Sequence, residues 1–210
     1  MGSLWKMSAA ALALAFLAVV AFALSKGGDS GRSHRQGGGS HGDGGGSQGG
    51  DVFSWLRSTA VPSGWRIRRL PDSPASLAAP PGWHLIRGDP GTATMVIRAP
   101  SGHIVGYLNA TPREGRESTA NWHDFRVDHN REEGDRDVRL LAAASGLRFR
   151  SGTGACVIDS YLTSTGARYR EIACLDSGRT ASTVIVAAAP PSRWAREAPL
   201  LKRAVSSFTT

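Results

Sequence analysis

The sequence predicts an α+β domain, an antiparallel β-sheet with helices packed against it, carried behind an N-terminal apolar helix and a Gly-rich linker. Three observations lead there. Beyond residue 64, short segments alternate apolar and polar residues between Gly, Pro and Ser, the period of half-buried strands. Only two later stretches show the three- and four-residue apolar spacing of a helix. Composition also divides the 210-residue chain into three blocks: nearly all apolar over 1–25, Gly, Ser, His and charge over 26–50, and ordinary globular composition over 51–210.

The first block is a membrane-insertion signal. Met7 to Leu24 is 18 residues long with Ser8 its single polar member, preceded by Trp5 and Lys6 and followed by Lys26. A signal-peptide core runs about 7–15 apolar residues and a spanning helix needs roughly 20, so this length with Leu4 and Trp5 leans towards an uncleaved transmembrane anchor. A cleaved signal peptide stays open, because Ala21-Phe22-Ala23 is a small-x-small cleavage pattern. Charge alone points the wrong way for export, since Lys26, Arg32 and Arg35 follow the apolar run and Lys6 precedes it. The cysteines decide otherwise.

Residues 26–50 hold 12 Gly and no large apolar side chain, too little to bury for folding. As a Gly-rich coil of 25 residues they form a tether with an r.m.s. reach of roughly 25–30 Å. Gly38 to Gly42 fits G-x-S-x-G and Gly44 to Gly49 fits G-x-G-x-x-G, but neither has the strand before it or the helix after it that its chemistry needs.

Over 51–210, strands are predicted at Trp65–Leu70, Thr94–Arg98, His103–Leu108, Val138–Ala143, Ala155–Thr163, Arg168–Leu175 and Ser182–Ala188. Ser118 is placed to cap a helix running to about Glu133, with Trp122, Phe125 and His129 as its inward stripe. A second helix closes the chain, with Trp194, Leu201, Ala204, Val205 and Phe208 inward and Pro199 in the first turn of its main run.

Residues 51–210 carry 21 Lys and Arg against 15 Asp and Glu. The excess is spread and mixed with acids, as in Arg131-Glu132-Glu133-Gly134-Asp135-Arg136-Asp137, so no nucleic-acid partner is expected. An anionic membrane surface would still attract such a domain. Two cysteines rule out a four-thiolate zinc site. His84, His103, His123 and His129 lack the spacing of a helical zinc pair, so neither metal nor cofactor is expected.

Several stretches resemble known families. Ala79-Pro80-Pro81-Gly82-Trp83, and Val184–Ala188 followed by Trp194 and by Leu201 to Ser207-Phe208, resemble the entry and the closing strand and helix of the PsbP-like superfamily, over roughly residues 75–208. Gly106-Tyr107-Leu108-Asn109-Ala110-Thr111-Pro112, Glu117 to Trp122, Glu132-Glu133-Gly134, Cys156 to Asp159 and Tyr169 to Cys174 are similar to an uncharacterised exported actinobacterial family. The resemblance implies an antiparallel sheet with helices against it, and binding or assembly in place of one fixed chemistry.

Cys156 and Cys174 lie equally far from Thr165, the centre of the turn Thr163-Ser164-Thr165-Gly166-Ala167. A hairpin centred there sets cysteine against cysteine at about 4.5 Å between Cα atoms, just inside the range of a disulfide. Two free buried thiols are the alternative. A disulfide persists outside a reducing cytosol, which places the domain on the extracytoplasmic side of the cell membrane.

The same register sets Asp159 opposite Glu171 and Tyr161 opposite Tyr169, on the side away from the cysteines. Opposed like charges destabilise a strand pair, so something compensates. Three arrangements are open: an arginine from a neighbouring element bridging both carboxylates, full solvation, or a functional pair in which one carboxyl keeps its proton and the tyrosines frame a binding face. No nucleophile or metal accompanies the pair, so binding is expected ahead of catalysis. The function expected is a membrane-tethered extracytoplasmic binding or assembly domain whose partner is an envelope protein or polymer or a small ligand. The alternative is a cell-envelope hydrolase with an unrecognised active site, which would require a deep cleft with converging titratable groups.

Overall fold

The computed structural model describes residues 52–113 and 115–210. The expected anchor or signal over 1–25 and the linker over 26–50 lie outside the described residues. Among the described residues no helix is long and apolar enough to cross a membrane.

A two-stranded ribbon opens the fold. β1 (Arg66–Arg69) pairs antiparallel with β2 (Ser76–Ala79) as a separate two-stranded sheet. The remaining strands, β3 (His84–Ile86), β4 (Ala93–Arg98), β5 (Ile104–Pro112), β6 (Arg136–Arg148), β7 (Gly152–Leu162), β8 (Arg168–Gly178) and β9 (Ser182–Ala189), form one antiparallel sheet in the order β3-β4-β5-β9-β8-β7-β6. Helix α1 (Trp122–Glu132) lies between β5 and β6 in the chain, and α2 (Trp194–Ser206) follows β9 after a 3-10 turn over Pro191–Arg193.

All seven expected strands are present, and the differences are informative. β2 and β3 had no forecast: Ser-Leu-Ala-Ala and His-Leu-Ile are too short to show a period. β6 runs 13 residues, well past Val138–Ala143, because three register shifts against β7 break the two-residue period that would reveal its length. α1 begins at Trp122, four residues after Ser118. Ser118 instead caps the preceding turn, exchanging bonds with Asn121: its N–H donates to Asn121 Oδ1 at 2.7 Å and its Oγ accepts from the Asn121 N–H at 3.2 Å. Pro199 sits in the second turn of α2, since that helix already starts at Trp194, and Phe208 is buried just beyond its end.

The sheet is covered on both sides. On one side Ile158, Ile172, Ile185 and Ala187 pack with Leu201, Ala204 and Val205 of α2, with Leu77 of β2, and with Phe53, Leu56 and Trp83. Trp83 enters through the turn Pro80-Pro81-Gly82-Trp83, where Gly82 takes φ +85° after a proline, as a type II turn requires. Its indole occupies the space a side chain at Gly106 would need, 2.8 Å from where a Cβ would sit. On the other side Val157, Ala173, Val184 and Val186 pack with Tyr107, Tyr161, Tyr169 and with Trp122 of α1. The Cys156–Cys174 disulfide joins β7 to β8 on the α2 side, with Cα atoms 4.1 Å apart at directly opposed positions.

Candidate functional site

The four residues singled out from the hairpin meet where the register placed them: Asp159 opposite Glu171 and Tyr161 opposite Tyr169. They do not form an exposed face. All four are buried, the two carboxylates at 0% exposure, because α1 lies over them.

That placement follows from the helix's own spacing. Trp122, Arg126 and Asn130 recur every four residues and are its buried stripe, so the sheet meets two polar side chains here, while Phe125 packs half-buried against the same core and His129 stacks on Phe125 at the margin. Trp122 Nε1 donates to the Ala173 carbonyl at 3.0 Å. Arg126 donates from Nε and from a terminal nitrogen to Glu171 Oε1, both at 2.8 Å, and the Tyr161 hydroxyl donates to Glu171 Oε2 at 2.9 Å. Asn130 Nδ2 donates to Asp159 Oδ2 at 3.4 Å. The Tyr169 hydroxyl donates to the Ile104 carbonyl at 3.4 Å, and its ring tilts against Tyr161 at 6.3 Å.

The expected arginine is therefore present, but it serves one carboxylate and does not bridge both. Burial pushes the Asp159 carboxyl up to about 8, and the nearby Glu171 charge adds to this against the pull of Arg126. In this dry site the raised Asp159 carboxyl favours keeping its proton, which spares the cluster a second buried negative charge beside Glu171. Burial works against the Arg126 charge, yet Glu171 and Asp159 outweigh it and keep the guanidinium protonated. Burial and then Glu171 raise the Tyr161 hydroxyl well above its ordinary value. At the margin, burial and then Glu133 push Asp135 up to about 6. A protonated carboxyl beside a tyrosine is acid–base equipment in an open cleft. Here α1 seals it from any substrate, and the geometry makes it a clamp that holds a helix to a sheet.

A second polar constellation escaped the sequence reading. At the far end of the sheet a cavity of about 330 Å³ is lined by Arg150, Ser151, Arg179, Thr180, Thr209 and Thr210. Beneath it, buried Asp176 accepts from Ser151 Oγ at 3.0 Å and Thr210 Oγ1 at 3.3 Å, and burial raises its carboxyl. These residues come from two turns and the last two positions, and no spacing motif links them. Of the four histidines considered, His129 lies 3.2 Å from Glu133 and His123 3.2 Å from Asp124. Among the described residues no group of three or more His, Cys, Asp or Glu is placed to hold a metal ion.

No protein-family model matches the chain, and no curated protein matches it. Solved structures do. The cyanobacterial PsbP protein CyanoP from Synechocystis is similar with a TM-score of 0.52 at 16% identity, over 70% of this chain and 92% of that one. LpqN, involved in cell envelope biogenesis of Mycobacterium tuberculosis, aligns with a TM-score of 0.40 at 14% identity over 70% and 92%. A protein of unknown function from Pseudomonas aeruginosa aligns with a TM-score of 0.45 at 13% identity over 70% and 96%. At these identities the likeness to CyanoP concerns fold alone: the chain has an α+β, PsbP-like fold.

Proposed function

We propose that this chain is a membrane-tethered extracytoplasmic domain that binds or assembles with an envelope component. The observation that carries the reading is the Cys156–Cys174 disulfide in the middle of the sheet, a bond that persists in an oxidising compartment and fits an exported domain. The N-terminal apolar run and Gly-rich linker supply the means of export and tethering. Binding takes precedence over hydrolysis because the strongest acid–base cluster is enclosed beneath α1, where it fixes structure.

Protease added to intact cells stripped of their wall should digest residues 51–210. A domain that resists until the membrane is lysed would overturn the proposed topology. Crosslinking in the same cells, followed by identification of attached molecules, names the partner.

A further inference from the structure

Toward the β7–β8 hairpin, the α2 side of the sheet changes from apolar to basic. The register sets Arg136 opposite Leu162 and Leu162 opposite Arg168, and one row further in it sets Arg139 opposite Ser160 and Ser160 opposite Arg170. Directly opposed residues project from the same side of a sheet, and strands lie about 4.8 Å apart, so each row holds two arginines about 10 Å apart over a smaller neighbour. On β8 the rows are two residues apart, about 7 Å. Arg170 lies over the Trp194 ring at 5.0 Å, which ties this face to the start of α2, where Arg193 and Arg196 add two more cations.

The acids here are few. Asp137 bonds Arg168 at 2.9 Å, and buried Glu197 lies 3.6 Å from Arg196 and 4.0 Å from Arg193. The Asp137 carboxyl is held below its ordinary value by the Arg168 hydrogen bond, with the charges of Arg139 and Arg136 adding to the effect. Arg136, Arg139, Arg168 and Arg196 are exposed. Scattered in sequence, these arginines are gathered by the strand pairing.

The two rows spread these arginines over three strands, about 10 Å across and about 7 Å along, a spacing that fits an array of separate negative charges better than one small anion. Phe53 and Leu56, the first core residues of the domain, pack into the core on the α2 side of the same sheet. We propose that the arginine face docks on anionic phospholipid headgroups of the membrane that holds the N-terminal segment. This deepens the tethered reading above and rests on it: a chain anchored within roughly 25–30 Å meets that surface at high effective concentration. Each arginine near such a surface contributes roughly fivefold to the docked-to-free ratio.

The test uses the full-length chain in nanodiscs of phosphatidylcholine alone or mixed with phosphatidylglycerol, followed by amide hydrogen exchange. Amides of residues 136–139 and 160–170 should exchange more slowly in the phosphatidylglycerol discs, and molar salt should remove the difference. Arg136→Gln with Arg139→Gln spares the Asp137–Arg168 pair and should lower the docked-to-free ratio roughly 25-fold. Arg150→Gln with Arg179→Gln, at the other end of the sheet, should leave it unchanged. Equal exchange in both discs, or protection that survives the first double variant, overturns the proposal. Protection of the same amides by soluble polyphosphate but not by phosphatidylglycerol discs overturns the lipid assignment in favour of a soluble polymer. A failed anchor is read separately, as chain that elutes apart from neutral discs, and cosedimentation of that chain with phosphatidylglycerol vesicles still decides for or against the arginine face.

Discussion

The two sides of the central sheet are sealed by different means. Under α2 the seal is apolar: Leu201, Ala204 and Val205 meet Ile172, Ile185 and Ala187, the disulfide lies among them, and the buried acids Glu197 and Asp176 keep to the rims. Under α1 the seal is mixed, because beside Trp122 the helix sends Arg126 and Asn130 to the sheet, where two buried carboxylates receive them. Apolar packing tolerates small shifts, whereas a buried ion pair in a dry site fixes one helix position and penalises any other. The sheet thus has one side held by area and one held by charge.

The largest test of that contrast is Arg126→Met. Removing the guanidinium leaves Glu171 buried and charged, and stability should fall by about 3–5 kcal/mol in urea unfolding. Adding Glu171→Gln to the same chain should recover most of the loss, because no uncompensated charge then remains. If the double variant is as unstable as the single one, the loss comes from packing and the contrast between the sides collapses.

On the α2 side the comparable step is loss of the disulfide. Replacing Cys156 and Cys174 together by Ala frees a loop with a separation of 18 residues and should lower stability by about 3 kcal/mol. The effect should be the same at pH 5 and pH 8, since bonded cysteines do not titrate. A mass measurement on native protein showing two free thiols would remove both this effect and the export argument.

Dependence on pH belongs to the α1 side. The folded carboxyl of Asp159 sits at about 8, against about 4 in the unfolded chain. Between those values the folded state holds a proton that the unfolded state has released, so stability falls as pH rises. The contribution is complete below about pH 4 and is lost as pH passes 8. Asp159→Asn keeps the shape and an acceptor for Asn130 without a titrating group. Its stability should match the parent near pH 4, exceed it at pH 9, and lose most of the slope between. A parent protein with a flat profile over that range would show that Asp159 is ionised when folded.

The contrast also explains what could be read in advance. The β7–β8 register followed from symmetry about Thr165, and with it the facing cysteines, the facing carboxylates and the facing tyrosines, because antiparallel pairing leaves no freedom once the turn is fixed. The apolar stripe of α2 was legible for the same reason of simple period. The buried stripe of α1 was not, since Arg126 and Asn130 read as solvent-facing until the carboxylates beneath them are located, and that takes the packing of a helix on strands tens of residues away. The arginine rows were hidden likewise: Arg136 and Arg139 join Arg168 and Arg170 only through two strand pairings, one of them interrupted by bulges.

The smallest prediction concerns the apolar side. Pro199 lies in the second turn of α2 on its exposed surface, so it offers no N–H to the Ala195 carbonyl one turn earlier and crowds that oxygen. In a helix held by charge, a displaced turn would cost its partner an ion pair; in one held by area, Leu201 and Val205 can settle around the distortion. Pro199→Ala restores the donor and a good helix former, and loses part of the rigidity that proline gives the unfolded chain. The balance should be a gain of about 1 kcal/mol, seen as a higher midpoint in urea with unchanged slope. A loss of stability would mean that the proline's geometry sets the angle at which α2 meets the sheet, and the α2 seal would then be as exacting as that under α1.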